Sequence, residues 1–198
     1  MQRGAEVMAE LSMKRLLKGP GWRSAGRAAL LVALLLPLTP TASYAQSAKD
    51  RELLLKAAFL YNFAKFVEWP AAAYASPGAP LTICVHSRDA LAVIAEAMNG
   101  KTVGNRPVDV VDARGPNPPA SCHVAFIGAD ETGSYAPSPK SPHALTVSDR
   151  DRFARTAGMV GLVTVDNKIR FEVNLKTARS AGLRIQAALL RLATDVIE

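Results

Sequence analysis

Leu60-Tyr61-Asn62-Phe63-Ala64-Lys65-Phe66-Val67-Glu68-Trp69-Pro70 begins as a helix and ends against a proline. Tyr61, Phe63, Phe66 and Trp69 crowd four aromatic rings into this short run. Catalytic loops are usually polar and glycine-rich, so a run this apolar reads as a packing or docking element. Upstream, Leu53, Leu54, Ala57, Leu60, Tyr61, Ala64 and Val67 recur at spacings of three and four, with Phe59, Phe63 and Phe66 as a second stripe. Only Glu52, Lys56, Asn62 and Lys65 break the apolar surface. A helix apolar on most sides is buried or covered by a partner. Asp50 is its expected cap. Trp69-Pro70 is its expected stop, because proline disfavours helical geometry in the residue before it.

Downstream, short apolar runs alternate with helical patterns. Leu81–Val85 reads as a buried strand, Asp89–Met98 as a helix stopped by Asn99-Gly100, and Pro107–Val111 as a second strand. Cys122–Gly128 and Ala144–Val147 are a third and a fourth. Ser148-Asp149-Arg150-Asp151 offers a capping box for a short helix through Arg155. Met159–Val165 and Ile169–Asn174 flank Asp166-Asn167-Lys168, a β-hairpin pattern. Leu183–Val196 is expected to close the chain as an amphipathic helix with Leu189, Leu192, Ala193 and Val196 on one face. Continuous apolar strands alternating with helices imply a mostly parallel sheet covered on both faces. The expected fold is a three-layer α/β/α domain with a mixed, Rossmann-like or flavodoxin-like sheet, a C-terminal hairpin and a closing helix.

Residues 1–45 read as a secretory leader. Lys14, Arg15, Lys18, Arg23 and Arg27 are basic, Ala28–Leu38 is apolar, and Ser43-Tyr44-Ala45 is a small-x-small cleavage pattern that makes Gln46 the new N-terminus. The apolar run is too short to span a bilayer, which takes about 20 residues. Met13 directly precedes the basic region, so translation can start there, with residues 1–12 a misassigned extension. Cleavage removes six basic and two acidic side chains and lowers the net charge from +7 to +3. The remaining basic residues are scattered, which argues against nucleic-acid binding. Residues 46–198 are long enough for one domain with one sizeable core.

Cys84 and Cys122 are the only cysteines. An even count in an exported chain favours a disulfide. Their strands are neighbours in a doubly wound sheet, where strand order reverses beside the first strand. The rival is a metal site using His86 and His123. Successive residues on a strand point to opposite faces, so Cys122 and His123 cannot converge with the other two. No metal or cofactor is expected. Catalytic motifs are absent: no G-x-S-x-G elbow, no P-loop, no G-x-G-x-x-G after a strand. Gly158-Met159-Val160-Gly161 enters a strand from a helix, the wrong order for cradling phosphate, and reads as a close-packing turn. His86, His123 and His143 lack a partnered nucleophile. On a strand, Glu172 and Asn174 share one face, and Arg170 or Arg184 is available to pair Glu172 as a ligand-binding or partner-binding element; a solvent-facing edge is the alternative.

Taken together, the segments 56–70, 81–85, 122–127, 145–149, 158–162 and 167–175, with the helix expected from Leu183, resemble the YfiR-like family of periplasmic proteins. They occur in order and span most of the exported chain. The resemblance implies a non-enzymatic repressor that binds the periplasmic sensor domain of an inner-membrane diguanylate cyclase. It further implies control of cyclic di-GMP and biofilm formation, relief of repression by an outer-membrane lipoprotein, a homodimer and a dependence on disulfides. Cys84 and Cys122 match one family cysteine pair; a second pair is missing here. A binding protein of this kind acts by preferring one conformation of its partner. Tyr61, Phe66 and Trp69 are the candidate anchors, joined by Glu172, Arg184 and the exposed face of the expected C-terminal helix. The alternative is a periplasmic small-ligand sensor or carrier whose site lies near His86, Ser87 and Gly128, at the carboxyl ends of the strands.

Overall fold

Helix α1, Thr41–Phe66, carries the aromatic segment across one face of a sheet. The computed structural model describes residues 41–115, 119, 121–131, 141–156 and 158–198. The leader expected over residues 1–45 lies outside them up to residue 40. Asp50 is not the cap: α1 starts nine residues earlier. Between Thr41 and Asp50 there is no glycine or proline, and alanine, glutamine and lysine continue a helix at little cost.

Strand β1 (Val67–Glu68) follows, then a 3-10 turn at Ala71–Ala73. Strand β2 (Leu81–His86), helix α2 (Arg88–Met98), and strands β3 (Thr102–Val103) and β4 (Arg106–Asp112) form the first wing. Strands β5 (Val124–Ile127) and β6 (Leu145–Ser148), the short helix α3 (Phe153–Thr156) and strand β7 (Val160–Val165) form the second. Five parallel strands run β4-β2-β5-β6-β7. In chain order that is second-first-third-fourth-fifth, the flavodoxin-like arrangement. Strand β8 (Lys168–Asn174) is antiparallel to β7 and makes the sheet mixed. The hairpin turn is Asp166-Asn167 alone, with φ of 50° and 56°, and Lys168 belongs to the strand. Both positive angles fit a two-residue primed turn.

Alternation along the strands makes two interiors of unequal size. Leu81, Ile83, Val85, Val124, Phe126, Leu145, Val147, Phe171 and Val173 face α1 and α2, where they pack on Leu60, Phe63, Ala64, Ile94 and Met98. Phe63 meets Phe171 edge-on at 5.1 Å between ring centroids. Each fully buried side chain of this size stabilises the fold by about 1.5–3 kcal/mol. The opposite face holds a smaller cluster of Ala125, Ile127, Ala144 and Phe153, with Cys122 at its margin. Gly158 is required there, because a Cβ would sit 1.8 Å from the Phe153 ring.

The C-terminus departs from expectation. Helix α4 (Leu175–Ser180) follows β8 directly, capped by Asn174, whose Oδ1 accepts from the Thr177 amide at 2.9 Å. The closing helix over 183–196 does not form. Strand β9 (Arg184–Ile185), the single turn α5 (Ala187–Leu190) and strand β10 (Asp195–Ile197) take its place. Strand β9 pairs antiparallel with β1, and β10 lies parallel along β8. An open edge of β8 supplies backbone partners for 195–197, and β-branched Thr194, Val196 and Ile197 favour that pairing over a helix. The capping box is also absent. Ser148 ends β6, donates to Ile127 O at 2.6 Å and accepts from the Arg150 amide at 3.1 Å, so its hydroxyl serves the strand and a local turn.

Cys84 and Cys122 form a disulfide from the first parallel strand to the approach to the third, with Cα atoms 5.8 Å apart and a sequence separation of 38. Replacing both cysteines by alanine should lower stability by about 3–4 kcal/mol, from the restored freedom of that loop in the unfolded chain. Urea unfolding with and without reductant measures it. The native protein should shift on reduction and the double variant should not.

Candidate functional site

The chain leaves β2 for β4 on one side and returns to β5 on the other, so a crevice opens where β2 and β5 end. Ser87 caps α2 there: its Oγ accepts from the Ala90 amide at 3.1 Å and donates to Asp130 Oδ1 at 2.8 Å. The Arg88 amide donates to Asp130 Oδ2 at 3.1 Å. An internal carboxylate thus occupies the positive end of α2. Burial opposes the charge on Asp130, but the hydrogen bonds from Ser87 and the backbone outweigh it and hold its pKa below the ordinary value. Gly128 makes this possible, since a Cβ would lie 2.1 Å from Asp130 Oδ1.

Lys56 reaches the same edge from α1. It is buried, and its Nζ lies 2.5 Å from both Asp149 Oδ2 and Glu52 Oε1. Asp149 Oδ1 accepts from the Ala129 amide at 2.7 Å. Burial opposes the ammonium, yet the two carboxylates reverse that effect and raise its pKa, so Lys56 is a charged tether between α1 and the β5 and β6 ends. Two adjoining clefts of about 400 and 330 Å³ share Glu52, Lys56, Ala129 and Asp149. Lys56 and Asp149 read in sequence only as a break in an apolar stripe and part of a cap. Neither carried a signal of the other, because 93 residues separate them.

Trp69 turns inward. Its indole N–H donates to His123 O at 3.0 Å, and its ring lies edge-on to the His123 imidazole at 6.0 Å. Tyr74 stacks on that imidazole at 4.4 Å between ring centroids, and the Arg106 guanidinium lies 3.7 Å from the Tyr74 ring centroid. His123 is buried, and its Nδ1 accepts from the Thr82 amide at 3.0 Å, so the neutral ring carries its proton on Nε2. Burial first, then Arg106, pushes its pKa down to about 4. The sulfurs of Cys84 and Cys122 are bonded to each other, and among the described residues no group of three or more His, Cys, Asp or Glu is placed to hold an ion.

The signature segment, the disulfide and the hairpin lie in one compact unit, Ser43–Glu198. A YfiR/HmsC-like family model matches residues 54–194. The chain belongs to this family. No curated protein matches it. No helix among the described residues is long and apolar enough to cross a membrane.

Within this YfiR-like domain the candidate anchors do not form one surface cluster. Phe66 is half-buried against the core, and Trp69 uses its donor internally. Tyr61 is half-buried in a groove between α1 and α2, with its hydroxyl donating to Thr102 O at 2.9 Å. Glu172 pairs with Arg155 at 3.3 Å, not with Arg170 or Arg184, and Arg155 also holds Asp195 at 2.5 Å. The register of β10 on β8 sets Asp195 opposite Glu172 and brings both carboxylates within reach of one guanidinium. Arg184 is exposed on β9, opposite Glu68 on β1.

Two outcomes follow from these contacts. Lys56→Met should cost about 2–3 kcal/mol, because Asp149 keeps its amide donor but loses its cation at a largely buried site; chemical denaturation checks it. For His123 the unfolded ring binds its proton near the ordinary value of 6.5 while the folded ring resists until about 4. Stability should thus fall as pH drops from 6.5 to 4, by about 1.4 kcal/mol per unit at most. His123→Asn keeps an acceptor for Thr82 and should flatten that limb in a pH series of urea midpoints.

Proposed function

We propose that this protein is an exported, periplasmic regulator that represses an inner-membrane diguanylate cyclase by binding its sensor domain. The observation that carries the reading is the family match over residues 54–194. The disulfide suits an oxidising compartment, and the basic-apolar-small order of residues 14–45 suits a cleaved leader. Repression then lowers cyclic di-GMP and biofilm formation, a homodimer is the working unit, and an outer-membrane lipoprotein relieves repression by sequestration. Binding is the mode of action and no substrate is turned over.

A second reading, a small-ligand sensor, draws on the two clefts at the carboxyl edge, whose volumes fall within or near the range of small-molecule sites. Against it, Lys56, Asp149, Ser87 and Asp130 hydrogen-bond to one another or to nearby backbone. A ligand must replace those bonds before it gains its own.

Co-expression with the membrane-bound GGDEF proteins of the source organism, one at a time in a host lacking its own, tests the reading. One combination should show cyclic di-GMP several-fold lower than the cyclase alone. Unchanged levels with every cyclase would discard it.

A further inference from the structure

The groove between α1 and α2 is the strongest unassigned surface. Ala57, Ala58, Ala97 and Met98 line it with Leu54 and Tyr61, and it measures about 260 Å³. The alanines let another backbone approach closely. Leu54 is 51% exposed and presents its side chain at the mouth of the groove. Asn62 does not compete for a partner, since its amide donates to Ala58 O at 3.0 Å.

The rim is basic. Lys65 and Lys101 are exposed and lie 5.6 and 5.1 Å from the Tyr61 ring centroid. Arg51, exposed three residues before Leu54, continues the same helical stripe. Among the described residues, none of those lining the groove is a carboxylate. An apolar trough of small residues edged by cations complements an amphipathic helix whose apolar stripe is flanked by Asp or Glu. Concavity argues against a lipid surface, which takes protruding apolar side chains.

We propose that this groove is the docking site for an acidic-flanked amphipathic helix of the partner protein. The inference rests on the binding role above and names its surface and the chemistry of its occupant. The test uses the purified protein and two fluorescent 18-residue synthetic helices with one leucine stripe, flanked by glutamate in one and lysine in the other. The glutamate helix should bind about tenfold more tightly, as two or three rim pairs allow. The double variant K65E/K101E should reverse the preference. Ala58→Trp, at an exposed position, should abolish binding without unfolding the domain, and thermal melting confirms that it is folded. Equal binding of both helices, binding that survives Ala58→Trp, anionic liposome binding through this face, or conversion of a dimer to a monomer by Ala58→Trp would each overturn the proposal. In the co-expression assay, an Ala58→Trp variant that still lowers cyclic di-GMP sinks the groove and leaves the repressor reading standing. If the unaltered protein never lowers it, the repressor reading fails, whatever the helices do.

Discussion

The sheet must be covered on both faces, and the described residues supply long helices for only one. Alternate residues of β2 and β5 are buried on each side, so water has to be excluded twice. Helices α1 and α2 do this on the first face with a large continuous core. On the second, the only described helix packed there is the four-residue α3, over a cluster of four buried side chains. The Cys84–Cys122 bond lies on that poorer face and ties the first strand to the start of the third. A cross-link is most useful where burial contributes least, because it limits the unfolded chain instead of adding contacts. His123, next to Cys122, extends the same logic: Trp69 and Tyr74 wedge the imidazole in place of an aliphatic core.

Much of this architecture was legible as period and punctuation. Strand β2 reads as an unbroken apolar run because it is buried on both sides, and α2, expected from Asp89, reads cleanly up to its Asn99-Gly100 stop, while its Ser87 cap went unread. The hairpin was visible in Asp166-Asn167, two residues that tolerate positive φ. The disulfide was legible from cysteine count and strand order together.

What was not legible shares one cause: the deciding partner is distant in sequence. Leu183–Val196 has helical spacing, yet its last residues are claimed by the free edge of β8 and its first by β1. Nothing local reports that either edge is open. Ser148 looks like a helix cap until its hydroxyl is seen to donate to Ile127 O, on the neighbouring strand. The candidate site shows the same pattern. Trp69 resembled an anchor because aromatic density marks interfaces and cores alike, and its hydrogen bond to the carbonyl of His123, 54 residues away, left no trace in the sequence. Glu172 wanted a cation, and the basic residues near it in sequence were natural choices. The register of β10 selected Arg155 instead, because one guanidinium there serves two carboxylates.

These arrangements bear on how such a domain would act on a partner. A binding protein shifts a partner's equilibrium only by the difference in its affinity for the two states. Holding a two-state enzyme almost wholly in one state takes about 5.5 kcal/mol of that difference. A soft binder loses part of it by adapting to both states. Here the sheet is cross-linked, Lys56 is held by two carboxylates, and the α2 N-terminus is closed by Asp130. Each contact removes a way for the domain to deform, so the surface it presents keeps one shape. A rigid surface discriminates between partner states more sharply than a soft one, because it cannot adapt to both. In the proposed role, control then falls on how much free protein is available, which is the variable that sequestration changes.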